Sequence, residues 1–120
     1  MDDMVFFSNN KEELRQLLTE IDIELKKLKL TIKPNWQIFP TYVRGLDFLG
    51  YVMFRDYTLL RKKVKKRAGK RLRSHLKSAQ RKGLSLHQFG SICSYKGWME
   101  HCNSYRLRRK YVLPLLPYLV

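Results

Sequence analysis

From residue 58 to residue 81 an apolar side chain returns almost every fourth position: Leu60, Val64, Ala68, Leu72, Leu76 and Ala79. That spacing fits an α-helix, which lines such residues along one narrow stripe, and not a strand, whose side chains alternate between two faces. The remaining positions carry Arg61, Lys62, Lys63, Lys65, Lys66, Arg67, Lys70, Arg71, Arg73, Lys77 and Arg81, with Lys82 just beyond. The stretch therefore predicts a helix over about Thr58 to Arg81 that docks by one stripe and presents cations on its other faces. No carboxylate stands among them, so the charge is left for a polyanion, and phosphate backbone is the natural one.

Charge divides the 120-residue chain in the same place. Residues 58–120 hold 17 Lys or Arg against one Glu, whereas residues 1–57 hold 8 against 9 Asp or Glu. A boundary near Arg55-Asp56-Tyr57 follows, with residues 1–56 as one region and residues 57–120 as a basic helical one. Gly83 ends the long helix, and Ser85 with Gln88 forms a capping box for a second one. That helix would carry Leu86, Phe89, Ile92, Cys93 and Met99 and accommodate Gly90 and Gly97 by close helix approach. Asn103 or Ser104 would cap a third, with Leu107 and Tyr111 inward and Arg106, Arg108, Arg109 and Lys110 outward. Residues 112–120 contain Pro114 and Pro117, continue no period and take no functional assignment.

The first region alternates β and α patterns. Met4-Val5-Phe6-Phe7 reads as a short strand. Ser8-Asn9-Asn10 offers a helix N-cap with Glu13 in capping-box position, and Leu14, Leu17, Leu18, Ile21, Leu25 and Leu28 make one stripe of a helix from about Lys11 to Lys29. Leu30 to Lys33 reads as a strand stopped by Pro34, and Trp36, Ile38 and Phe39 as a further β-like element before Pro40. Gly45 and Gly50 punctuate Arg44-Gly45-Leu46-Asp47-Phe48-Leu49-Gly50-Tyr51-Val52-Met53-Phe54 as a hairpin with a tight turn. Asp2 and Asp3, adjacent before the first strand, are compatible with a solvated polar terminus or with oxygen ligands for Mg²⁺.

In order, Asp2-Asp3, strand, capped helix, Leu30-Thr31-Ile32-Lys33-Pro34, the Phe48-Leu49-Gly50-Tyr51 block, a basic helix and Gly97-Trp98-Met99-Glu100-His101-Cys102-Asn103-Ser104-Tyr105 resemble the C-terminal part of a reverse transcriptase of the group II intron or diversity-generating-retroelement kind. The resemblance spans almost the whole chain and implies an α+β fold: the final part of a polymerase palm, residues 1–56, followed by a mainly helical thumb, residues 57–120. It implies that Asp2 and Asp3 are catalytic, metal-binding carboxylates of the turn whose aromatic residue would precede Met1. It also implies that Phe48, Leu49, Gly50 and Tyr51 are the primer grip, and that Lys62, Lys63, Lys66, Lys70, Arg73 and Lys77 lie on the nucleic-acid face. Mg²⁺, deoxynucleoside triphosphates, an RNA template, a DNA primer and their RNA-DNA hybrid are the cofactor and partners of the complete enzyme. The fingers and N-terminal palm, or an oligomeric partner, would have to complete it, so this RNA-directed DNA polymerase fragment is expected to be inactive alone. A non-enzymatic nucleic-acid-binding protein and a fragment complementing a split polymerase in trans are the alternatives.

Other classes fit poorly. No run approaches the roughly 18 apolar residues of a membrane span, and no basic start leads into an apolar run as in a signal peptide, which makes a cytoplasmic protein the expectation. Cys93, Cys102 and His101 lack the spacing of a four-ligand zinc site, so the cysteines read as ordinary buried or half-buried residues.

Overall fold

The structure is a computed structural model that describes residues 3–119, and it is an α+β fold. It separates into two compact units, residues 1–40 and 41–120. In the first, helix α1 (Lys11–Lys27) is capped by Asn10, whose Oδ1 accepts the Glu12 amide at 3.0 Å. Glu13 does not close a capping box on Asn10; its carboxylate accepts the Ser8 hydroxyl instead, and Ser8 Oγ accepts the Asn10 amide. The helix stops two residues before Lys29 because Lys29 takes the left-handed conformation, φ 60°. The amides of Lys29 and Leu30 then return to the carbonyls of Lys26 and Leu25, a Schellman closure. The apolar stripe of α1 is at most half-buried, and no residue of the helix is buried.

The strands expected over Met4 to Phe7, Leu30 to Lys33 and around Trp36, Ile38 and Phe39 are irregular segments. A strand is held by a ladder partner, and among the described residues of this unit there is none. Phe6, Phe7, Leu30 and Trp36 are correspondingly exposed.

The second unit begins with a three-stranded antiparallel sheet in the order β1 (Leu46–Phe48), β2 (Tyr51–Met53), β3 (Thr58–Leu60). The hairpin between Gly45 and Phe54 forms where the glycines place it, pairing Phe48 with Tyr51 and Leu46 with Met53. Its two turn residues both have positive φ, 51° at Leu49 and 85° at Gly50, the geometry whose twist matches the flanking strands. Thr58 to Leu60, expected as the first turn of the long helix, instead pairs with β2. A Thr-Leu-Leu triplet can continue a helical period or fill a sheet edge, and the open edge of β2 decides between them. The sheet therefore runs through residues 55–57, and the compact units divide after Pro40. On its outer edge β3 is held by Asn103, whose amide donates to the Thr58 carbonyl at 2.8 Å and whose Oδ1 accepts the Thr58 amide at 3.0 Å. Asn103 thus completes the sheet and does not cap the next helix.

Helix α2 (Lys62–Lys82) ends at Gly83, φ 84°, and α3 (Leu86–Glu100) starts at a complete Ser85–Gln88 capping box. A single turn, α4 (Tyr105–Leu107), runs into a π-helical turn, Arg108–Val112, and then a 3₁₀ turn, Leu113–Tyr118. Ser104 precedes α4 without capping it; its hydroxyl donates to the Met99 carbonyl. The core joins Leu60, Ala68 and Leu72 to Ile92 and Met99 and is closed by Val112 and Leu115. Residues 112–119, unassigned from sequence, thus have a packing role, and burying a side chain such as Leu115 stabilises by about 1.5–3 kcal/mol. Leu86 and Cys93, expected to belong to the apolar pattern of α3, face solvent.

Gly90 and Gly97 do not mark close approaches: a Cβ on either would meet nothing within 4 Å. Each therefore costs α3 backbone entropy without a packing return. Gly90→Ala and Gly97→Ala are each expected to raise stability by about 0.5–1 kcal/mol, read as a higher urea midpoint at constant slope. A lowered midpoint would mean that the bare backbone is needed at that position.

Candidate nucleic-acid interface

The cations of α2 sort themselves by helical geometry. Ala68, Leu72, His75 and Ala79 are buried on one side. At about 100° per residue, Lys62, Lys63, Lys66, Lys70, Arg73 and Lys77 fall within an arc of about 100° on the opposite side. All six are exposed. Lys63, Lys66, Lys70, Arg73 and Lys77 follow one another at spacings of three and four, so they form a row about 21 Å long. None of them is ion-paired with a carboxylate among the described residues; the cation pairs lie elsewhere, as between Lys96 and Glu100 or Arg61 and Asp47.

The start of α2 is unfavourable in isolation. Arg61 occupies the N-cap without a side-chain bond to the helix amides, its guanidinium being paired with Asp47, the first turn has no acid, and Lys62 and Lys63 stand at the positive end of the helix dipole. Free amides and cations together there favour an anion.

The hairpin tip is joined to this end of α2: the Arg61 amide donates to the Gly50 carbonyl at 2.9 Å. Within the second unit the structure thus brings Gly50 against Arg61, one residue before Lys62, with Phe48 and Tyr51 paired on either side of the turn. Leu49 is half-exposed at the tip and holds a left-handed backbone that a leucine rarely takes. Gly50 is buried beneath Trp98, where a Cβ would lie 2.4 Å from Cζ3 of the indole. Tyr51 stacks on the same indole, centroids 5.5 Å apart, and its hydroxyl donates to the Trp98 carbonyl at 2.8 Å. Trp98 accordingly anchors α3 to the hairpin, while its outer part, 37% of the residue, stays accessible.

Farther along the row, α2 meets the π-helical turn. Gly69 is buried under Tyr111, whose Cζ would stand 3.0 Å from a Cβ at that position. The Arg73 Nε donates to the Gly69 carbonyl at 3.2 Å, and its guanidinium carbon lies 5.8 Å from the centroid of the Tyr111 ring. Lys110 Nζ lies 5.3 Å from the same centroid. Sequence reasoning placed Tyr111 inward and Lys110 outward but had no means of finding this junction, because it depends on which segment crosses α2 at Gly69.

Sequence reasoning also missed His75, buried on the core side of α2 with Nε2 3.1 Å from Ser91 Oγ and Nδ1 without a partner. Burial first, then the charges of Arg71 and His87, lower its pKa and keep the ring neutral. Cys102 is half-buried and burial pushes its thiol pKa up, which makes it a weak nucleophile, whereas Cys93 is exposed.

Of the expected metal carboxylates, Asp2 lies outside the described residues. Asp3 is exposed and belongs to the first unit. Among the described residues no three His, Cys, Asp or Glu side chains converge as a metal site. No helix of the described residues is long and apolar enough to cross a membrane. Comparison with protein families, with curated proteins and with solved structures finds no match to this chain.

Proposed function

We propose that this chain is the palm-end and thumb portion of an RNA-directed DNA polymerase of the group II intron or diversity-generating-retroelement type, and that its second unit grips the primer-template duplex. The observation that carries the proposal is the row of exposed cations on α2, which make no ion pair among the described residues and follow directly on the residue bonded to the hairpin tip. Like charges at three- and four-residue spacing each weaken the helix by about 0.2–0.5 kcal/mol per pair, a cost that a phosphate backbone offsets. Binding through such a row is independent of sequence and positions the duplex, while the hairpin tip at one end of the row would locate the primer terminus. Any chemistry in the parent enzyme, including the use of Mg²⁺ and deoxynucleoside triphosphates, needs ligands beyond Asp3, so polymerisation is not assigned to this chain by itself. A non-enzymatic nucleic-acid-binding protein, or a fragment that complements a polymerase in trans, draws on the same row and requires no carboxylate chemistry.

The test is a salt series with the full chain on an RNA-DNA hybrid and on duplex DNA of unrelated sequences. With six phosphates neutralised, the slope of log affinity against log salt is expected to be about −5, a loss of about 10³-fold between 50 and 200 mM salt, alike for all sequences. Weak binding that salt does not change would reject the grip. Template-directed incorporation would then separate the polymerase reading from the binding reading once the chain is supplied with fingers and N-terminal palm.

A further inference from the structure

The junction at Tyr111 carries a more specific reading, which rests on the assignment of α2 as the nucleic-acid face. Arg73 comes from α2 and Lys110 from the π-helical turn, yet both lie within cation-π range of one ring. The two ring distances put the charges within about 11 Å of one another, so they repel. An anion between them would turn the repulsion into two attractions. Arg73 is oriented for this: Nε is engaged by the Gly69 carbonyl, so the terminal guanidinium nitrogens remain for an oxygen-bearing ligand. The pairing of a guanidinium fork with a point-charge ammonium suits a phosphate and reads no base.

We propose that Arg73 and Lys110, gathered by the ring of Tyr111, form a seat for one backbone phosphate of the bound duplex. Tyr111 is the positioning residue that fixes where the duplex passes from the α2 row onto the π-helical turn. The ring can take this place because Gly69 leaves room beneath it. The seat adds Lys110, from outside α2, to the phosphate contacts of the row and so constrains the angle at which a duplex crosses the helix.

The experiment compares the full chain with Lys110→Gln, Tyr111→Leu and Tyr111→Phe on an RNA-DNA hybrid over a salt series, with circular dichroism confirming the helices. Lys110→Gln is expected to reduce the salt slope by about one unit and the affinity about 5-fold at 0.15 M salt. Tyr111→Leu is expected to do the same or more, to make the further change Lys110→Gln nearly silent, and to be rescued by Phe, which keeps the ring. An unchanged slope in Lys110→Gln, or a Phe variant as weak as the Leu variant, would overturn the seat. Should Tyr111→Leu fail to fold, the exposed Lys110→Gln decides alone. Inorganic phosphate is expected to displace the hybrid no better than chloride at equal ionic strength; displacement specific to phosphate would assign the pair to a free anion and overturn the backbone seat. Loss of binding on neutralising the α2 row together with no effect of Lys110→Gln would remove the seat and leave the duplex grip standing.

Discussion

Replacing Lys63, Lys66, Lys70 and Lys77 together by glutamine is expected to lower duplex affinity by about 10³-fold at 0.15 M salt and to flatten the salt slope by about four units. The magnitude follows from counterion release: four fewer neutralised phosphates remove about 0.9 × 4 powers of salt concentration, on the order of 4 kcal/mol under those conditions. Glutamine has a helix propensity close to that of lysine, and all four side chains are exposed, so the helix should remain. It should in fact become more stable, by about 1 kcal/mol, because the variant removes like-charge neighbours at three- and four-residue spacing. Weaker binding with a higher unfolding midpoint is a signature that damage to the fold cannot imitate. Binding retained in a folded quadruple variant would mean that the duplex lies elsewhere.

The second large effect is expected at the hairpin tip. Gly50→Ala should destabilise the second unit by about 2–4 kcal/mol. An alanine at φ 85° adopts a left-handed backbone at a cost of about 1–2 kcal/mol, and its Cβ would stand 2.4 Å and 2.8 Å from Cζ3 and Cη2 of Trp98. The indole must move, which disturbs its stacking with Tyr51 and the bond from the Tyr51 hydroxyl to the Trp98 carbonyl. Trp98→Ala removes the obstacle, so the double variant should be less unstable than the sum of the two single ones by about 1 kcal/mol or more. Urea unfolding of the four proteins measures this coupling. A Gly50→Ala protein with the wild-type midpoint would show that the indole is not held over the turn.

What the residues reveal in advance depends on how far the deciding interaction reaches. The cap at Asn10, the capping box at Ser85, the hairpin at Leu49-Gly50 and the core stripe of α2 are set by neighbours within a few positions, and each is legible. Thr58 to Leu60 is misread because the competitor for helix is a strand formed several residues earlier. The apolar segments at Met4 to Phe7 and Leu30 to Lys33 are misread for the converse reason: their composition suits a sheet, and the partner that would make one is not among the described residues of the unit. The exposed cations of α2 follow from period alone, whereas the meeting of Arg73, Lys110 and Tyr111 over Gly69 needs the third dimension. Asn103 has the composition of a cap and the position of a sheet partner, and only the location of Thr58 settles which it becomes.

Closure of the core by Val112 and Leu115 bears on how the second unit acquires its shape during synthesis. The hairpin, α2 and α3 emerge from the ribosome before Val112 and Leu115, which share one core with Leu72 and Ile92. Until residue 115 has cleared the exit tunnel, the nascent unit would display an apolar seam flanked by lysine and arginine, a surface attractive both to chaperones and to the ribosomal RNA beside it. Its commitment to the native arrangement therefore waits for residues 112–115 and does not proceed helix by helix. Slowing translation ahead of that point should prolong association with ribosomes rather than improve the yield of folded protein.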